Sequence, residues 1–242
     1  MNTSLGRHVY GLAAIGLGIC ALVWRDFIWQ MEPPLKIPHV ELLVYCAAIA
    51  QLAGGVAIQF PRLARAGAAA LGAVYAILGL LWLPPWIKNP LVFDSLGNAF
   101  EQFALLSGAL VVYGGKAARF GYYVFAFSVI SFALYQAVHL GFTASLVPKW
   151  IPPGQMFWAI VTTIAFALAA LALLIGRSAL VAARLTALML AIFGLLIWVP
   201  ATLTHARNSG DWAELGLTFG ICGAAWIVAD YLAGRRPYDS HP

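Results

Sequence analysis

Eight long apolar segments constrain this sequence more than any other feature. They cover roughly residues 8–26, 40–60, 66–83, 98–115, 120–141, 155–175, 179–199 and 212–233. A bilayer core about 30 Å thick requires about 20 apolar helical residues, so each segment is long enough to span it. The segments lack the alternation of polar and apolar residues that marks the strands of a membrane barrel. The sequence therefore predicts an all-α, polytopic membrane protein with eight transmembrane helices.

The composition agrees with lipid as the main solvent and argues against nucleic acid as a partner. Hydrophobic residues make up 62% of the chain and charged residues 10%, whereas soluble domains carry about 25% charged residues. The 14 Lys and Arg residues lie in short turns and not in a basic stripe or tail. We therefore expect the lipid bilayer as a partner and no nucleic-acid binding.

The basic residues also predict the orientation of the chain. Nine of them fall on the side that holds the N-terminus and five on the opposite side. Because short cytoplasmic loops are enriched in Lys and Arg, both termini are expected in the cytoplasm. Most acidic residues, and every tryptophan except Trp226, fall on the opposite, outer side.

The two halves of the sequence resemble each other at a spacing near 114 residues. Gly79-Leu80-Leu81-Trp82-Leu83-Pro84 recurs as Gly194-Leu195-Leu196-Ile197-Trp198-Val199-Pro200, and Asn98-Ala99-Phe100-Glu101 matches Asp211-Trp212-Ala213-Glu214. Four helices in each copy is an even number, so both copies enter the membrane from the same side. We predict two parallel four-helix repeats, residues 1–118 and 119–236, followed by a short cytoplasmic tail at 237–242.

Glu101 and Glu214 are the strongest candidates for a functional site. Each is expected about one turn inside the outer end of the last helix of its repeat, where an ionisable group usually faces the protein interior or a wet cavity. The alternative is structural: Asn98 and Asp211 precede them by three residues, as in a capping box. Both interpretations stay open at the level of the sequence.

Further polar and aromatic residues complete a candidate binding pocket at the outer leaflet. His139 lies near the outer end of the fifth segment, Gln102 is replaced by Leu215 in the second repeat, and Glu41 begins the second segment, where capping is an alternative. The predicted pocket consists of Glu101, Gln102, Glu214, His139, Glu41, Trp82 and Trp198.

The sequence contains no catalytic or metal-binding motif. The three cysteines, Cys20, Cys46 and Cys222, lie singly in apolar segments, so we interpret them as packing residues. Haem is disfavoured because His139 has no second histidine inside the membrane, and no metal-ligand spacing occurs. We therefore expect no catalytic residues and no metal site, and a chain that is not an enzyme on its own.

One resemblance to a known family emerges from these residues. The segment from Leu146 to Gln155, the helix pair from Gly176 to Pro200 and the stretch from Asp211 to Trp226 resemble the DoxX-like membrane proteins of bacteria. Because those proteins usually have four helices, this chain looks like a fused pair. The resemblance implies the bacterial cytoplasmic (inner) membrane, a redox-associated membrane subunit, a quinone as the ligand or cofactor, and a membrane or peripheral redox partner.

Three functions remain open. The first is a quinone-interacting membrane subunit, which would need an electron carrier from a partner. The second is a carrier or binder of a small amphiphilic molecule, with a site between the two repeats. The third is a non-catalytic scaffold that binds other proteins through its proline-rich outer loops.

Overall fold

The computed structural model describes residues 5–26, 40–90 and 93–234, and these residues form helices joined by short connections. The helices are α1 (Leu5–Trp24), α2 (Val40–Ala57), α3 (Ala64–Lys88), α4 (Phe93–Tyr113), α5 (Gly115–Val138), α6 (Leu140–Leu146), α7 (Gln155–Ile175), α8 (Ala179–Phe193), α9 (Val199–Thr204) and α10 (Ser209–Ala233). A π-helical turn, Gly194–Trp198, joins α8 to α9 without a break and is called the π segment below.

Eight of these units are long and apolar enough to cross a membrane: α1 to α5, α7, the continuous unit Ala179–Thr204, and α10. The prediction of an all-α polytopic membrane protein with eight membrane helices is confirmed. We call the side where α1 begins and α10 ends the terminal side, and the opposite side the distal side. Helices α1 to α4 form the first half, and α5 to α10 form the second half.

The boundaries differ from the expected ones mainly on the distal side. Helix α3 continues to Lys88 through Pro84 and Pro85, which had been expected in a loop. The two prolines lie in its last turns, and each lacks the backbone N–H that would bond to the carbonyl group four residues earlier. Helix α4 begins at Phe93, five residues earlier than expected, and α5 ends before His139, which is its C-terminal cap.

The helices form a closed ring in which each half completes the other. Along the ring, α1 packs on α2, α2 on α3, α3 on α4, α4 on α5, α5 on α7, α7 on α8, α8 on α10, and α10 on α1. Helices α4 and α10 also pack on each other across the middle. Exchanging α1 with α5, α2 with α7, α3 with α8 and α4 with α10 leaves this set of contacts unchanged. The first helix of each half therefore packs against the last helix of the other half.

The two halves also meet closely where α4 crosses α10. A β-carbon placed on Gly108 would lie 2.9 Å from the Cβ atom of Ala224. Absence of a side chain at Gly108 lets the two backbones approach, as small residues do in packed membrane helices. The ring of Tyr10 from α1 lies against the same glycine, with Cε2 at 3.1 Å from the added β-carbon. The crossing is thus a contact among three helices, in which Gly108 of α4 and Ala224 of α10 face each other.

Matched contacts show how the two halves correspond residue by residue. Gly79 of α3 lies against Phe103, and Gly194 of the π segment lies against Phe219; likewise Gly6 lies against Trp226, and Gly121 against Leu110. The glycines are 115 residues apart in both comparisons, whereas their partners on α4 and α10 are 116 apart. The one-residue change coincides with the π segment, which accommodates one extra residue in a helical turn.

This register corrects the pairing of Glu101 with Glu214. At a spacing of 116 residues, Glu101 corresponds to Leu217, and Glu214 corresponds to Asn98. The local similarity of the two tetrapeptides had placed them three residues out of register, close to one helical turn. The two glutamates therefore lie at different heights in the bundle.

Candidate functional site

Glu101 lies on the face of α4 that packs against α10. It precedes Gly108 by seven residues, which is two helical turns, so both residues project from nearly the same face. Gly108 faces Ala224 of α10. Because α4 begins at Phe93, Glu101 lies two turns inside the helix and Asn98 is an interior residue. The capping-box interpretation of Glu101 is wrong, because the helix begins too early.

Glu214 is not part of a capping box either. The N-cap of α10 is Asn208, whose Oδ1 atom accepts a hydrogen bond of 2.9 Å from the backbone N–H of Gly210. Asp211, the expected cap, lies within the first turn, and its carboxylate is 3.2 Å from Nδ1 of His205. Glu214 thus lies one turn deeper on a helix that has its own cap.

The carboxyl groups of Glu101 and Glu214 lie close enough to interact electrostatically. One carboxyl oxygen of Glu101, Oε2, is buried and makes no hydrogen bond within the described part of the chain. Two like charges repel strongly where little water screens them. The pair consequently has an affinity for positive charge, either a proton or a cationic or hydrogen-donating group of a ligand.

Three more residues extend this pair towards the distal surface. Nε2 of His139 lies 3.2 Å from Oδ1 of Asp94, although the two atoms do not have hydrogen-bond geometry. The ring of Tyr135 stacks against His139 at a centroid distance of 4.6 Å. Tyr135 also interacts with Asp94, Glu101 and Glu214. We call Asp94, Glu101, Tyr135, His139 and Glu214 the distal cluster.

Helix packing explains why Tyr135 belongs to this cluster. It projects from α5 towards α4, where a β-carbon added to Gly97 would lie 2.8 Å from Cδ2 of the tyrosine ring. The absence of a side chain at Gly97 leaves room for the ring. Sequence reasoning missed Tyr135, although its position four residues before His139, one turn along the same helix face, was a usable signal.

The other predicted pocket residues lie outside the distal cluster. Gln102 is fully buried in α4, but its side chain leaves the helix about 100° away from that of Glu101. Trp82 is buried on α3 with an unpartnered Nε1 atom. Glu41 is exposed in the first turn of α2, which packs on α1 and α3, and Trp198 is half-buried in the π segment.

Two apolar grooves open on the lipid-facing surface, and neither is lined by the distal cluster. A groove of about 480 Å³ runs between α1 and α10, past Gly16, Cys20 and Gly216. A second, of about 510 Å³, lies between α3, α4 and α5, past Gly72 and Tyr113. Their linings suit hydrocarbon chains and offer almost no polar group to a head group.

Within residues 5–26, 40–90 and 93–234, no group of three or more His, Cys, Asp or Glu side chains is arranged to hold a metal ion. The three cysteines are free, with Cys20 and Cys222 buried and Cys46 exposed. The distal cluster, which combines acidic, basic and aromatic groups, is therefore the candidate site in the described part of the chain.

The fold and the cluster together define a polytopic helical membrane protein with interacting carboxylates inside its bundle. No protein-family model matches this chain, and neither a curated protein nor a solved structure is significantly similar to it.

Proposed function

We propose that this chain binds, and carries across part of the membrane, a small amphiphilic molecule whose polar head contacts Glu101 and Glu214. The observation that carries the proposal is the interaction between these carboxylates from different halves, at the interface of α4 and α10. Sites at the interface of parallel repeats are common in membrane carriers. Neither glutamate is a helix cap.

The chemistry of the pair selects the head group. Carboxylates accept hydrogen bonds and attract positive charge, so the head must donate hydrogen bonds or be cationic. The buried, unpartnered Oε2 atom of Glu101 would gain a partner on binding. The hydrocarbon tail would remain in lipid or lie in an apolar groove such as the one between α1 and α10.

A second candidate is the quinone-interacting redox subunit that the resemblance to DoxX-like proteins implies. The observation in its favour is the group of Asp94, Tyr135 and His139 beside the glutamates, because a quinol head donates hydrogen bonds and loses protons when it is oxidised. The electrons would need a redox partner protein. On this proposal the chain lies in the bacterial cytoplasmic membrane with both termini in the cytoplasm.

Copurified molecules and binding of defined probes test the proposal. Wild-type protein in mild detergent would be extracted with organic solvent for mass spectrometry, then titrated with an alkylammonium ion and an alkyl hydroquinone of equal chain length. We expect Glu101→Gln and Glu214→Gln each to weaken binding about tenfold or more, corresponding to about 1.4 kcal/mol. Preference for the hydroquinone would favour the redox candidate.

Glu41→Gln is the matched control. It removes the same charge from an exposed site in the first turn of α2 and should bind the probes like the wild type. Glu101→Gln and Glu214→Gln should melt near the wild-type temperature, because neither removes a helix cap. Equal binding by Glu101→Gln and Glu41→Gln would refute the proposed site, whereas loss of folding in Glu101→Gln would restore a structural role.

A further inference from the structure

Three positions deep inside the bundle are polar in the first half and apolar in the second. Three buried polar residues of the first half are replaced by buried apolar ones at a spacing of 115 residues. The pairs are Tyr10 with Phe125, Gln51 with Phe166, and Tyr75 with Leu190. The second half shows that the fold is compatible with apolar residues at these positions. The first half nevertheless has polar groups there.

The three polar residues lie together in the middle of the bundle. The hydroxyl of Tyr10 donates a hydrogen bond of 2.7 Å to the carbonyl oxygen of Leu105 on α4. The rings of Tyr10 and Tyr75 meet edge to face at a centroid distance of 6.3 Å. Gln51 of α2 lies beside the hydroxyl of Tyr75, yet its Nε2 atom makes no well-formed hydrogen bond.

Two further polar residues extend this group towards both sides of the membrane. Gln102 lies one turn from Leu105 towards the distal side, next to Glu101; it is 0% exposed, and neither amide atom has a partner. Arg7 lies one turn from Tyr10 towards the terminal side; it is 5% exposed, and its Nε and Nη2 atoms have no partner. We call Arg7, Tyr10, Gln51, Tyr75 and Gln102 the polar column.

Buried water satisfies polar atoms inside a protein that have no other partner. Each one left dry costs about 1–3 kcal/mol, and a buried water typically makes about three hydrogen bonds to such atoms. The column has five of them, on Arg7, Gln51 and Gln102, while the described part of the second half has two, on His139 and Thr186. The need for buried water therefore falls mainly on the first half.

We infer that the polar column holds a chain of water molecules along which protons move between the terminal side and the distal cluster. Each water accepts a proton from one neighbour and releases another proton to the next, so one proton enters, one leaves, and no protein bond breaks. The inference rests on the proposed function in one respect, which is that the protons are delivered to Glu101 and Glu214. Ligand binding at that pair is then linked to protonation, and the protons arrive through the first half of the bundle.

Arg7 gives the path a property that can be tested separately. Its guanidinium group stays charged, because arginine is not deprotonated in proteins. A fixed positive charge at the terminal end of the path repels an arriving proton. Neutralising Arg7 should therefore speed proton entry, whereas removing the hydrogen-bonding groups deeper in the column should slow it.

Proton flux into liposomes tests the path directly. Full-length protein would be reconstituted with an enclosed pH-sensitive dye, and a potassium diffusion potential would drive proton entry in the absence of any amphiphile. We expect flux above that of protein-free liposomes, a decrease of about tenfold in Tyr10→Phe and in Gln51→Leu, and a several-fold increase in Arg7→Gln. Tyr10→Phe is a mild change, since Phe125 occupies the corresponding position.

Thr186→Val is the matched control, because it removes a buried, unpartnered hydroxyl from the second half without changing side-chain volume appreciably. It should leave the flux unchanged. Wild-type flux equal to that of protein-free liposomes, or equal flux in wild type and Tyr10→Phe, would overturn the path. Binding of the alkylammonium and hydroquinone probes is measured separately, so flux without binding would refute only the proposed function.

Discussion

Gly108 lies at a close contact between the two halves, and its role is steric. An added β-carbon would lie 2.9 Å from Cβ and 3.1 Å from Cα of Ala224, atoms that cannot move without moving α10. Gly16 of α1 offers a contrast, because an added β-carbon there would meet nothing within 4 Å. The same residue type is therefore required at one position and replaceable at the other.

We predict that Gly108→Leu destabilises the protein by about 1–3 kcal/mol, because it overpacks the contact between α4 and α10. Gly16→Ala is the control and should unfold at or above the wild-type temperature, since alanine favours the helix over glycine. Thermal unfolding in detergent, followed by loss of the monodisperse peak, measures both. Equal stability of Gly108→Leu and wild type would mean that the crossing is not tightly packed.

At the scale of single elements, the π segment decides the register of everything that follows it. In the first half the chain is a regular α-helix after Gly79, which lies against Phe103. In the second half the chain has one more residue after Gly194, which lies against Phe219 and begins the π segment. A π turn takes up that residue so that the preceding and following contacts both match those of the first half.

Deletion of Ile197, the extra residue in the segment Gly194–Trp198, tests this account. We expect the shortened chain to fold with a melting temperature near that of the wild type, because the first half builds the same passage without the extra residue. Deletion of Ile77, an exposed residue within α3, is the control and should prevent folding, because α3 has no π turn to take up the change and the following contact face rotates by about 100°. Similar outcomes for both deletions would contradict a special role of the π segment.

At the scale of the whole molecule, neither half forms a closed bundle alone. Helix α1 packs extensively on α10, and α4 packs on both α5 and α10. Cys20 of α1 and Ala213 of α10 belong to one small buried cluster, together with Trp24 and Trp212. This arrangement joins the first helix of the chain to the last described one.

A cross-link between the halves should follow from that contact. In a chain with Cys46→Ser, Cys222→Ser and Ala213→Cys, mild oxidation is expected to form a disulfide between Cys20 and the new thiol. Cleavage at a protease site inserted after Gly114 would then leave the fragments joined on a non-reducing gel. A variant that also carries Cys20→Ser should give two separate fragments. Separate fragments from the variant that keeps Cys20 would show that α1 does not pack on α10 as described.

The sequence by itself determined the number and approximate extent of the membrane helices, because long apolar segments are a local property and lipid leaves a backbone little alternative to a helix. Only the tertiary structure decided the register between α4 and α10, the meeting of Glu101 with Glu214 and with Tyr135, and the one-sided polar column. These features depend on contacts between residues that are far apart in the chain, and hydropathy and spacing do not encode which face of one helix meets which face of another.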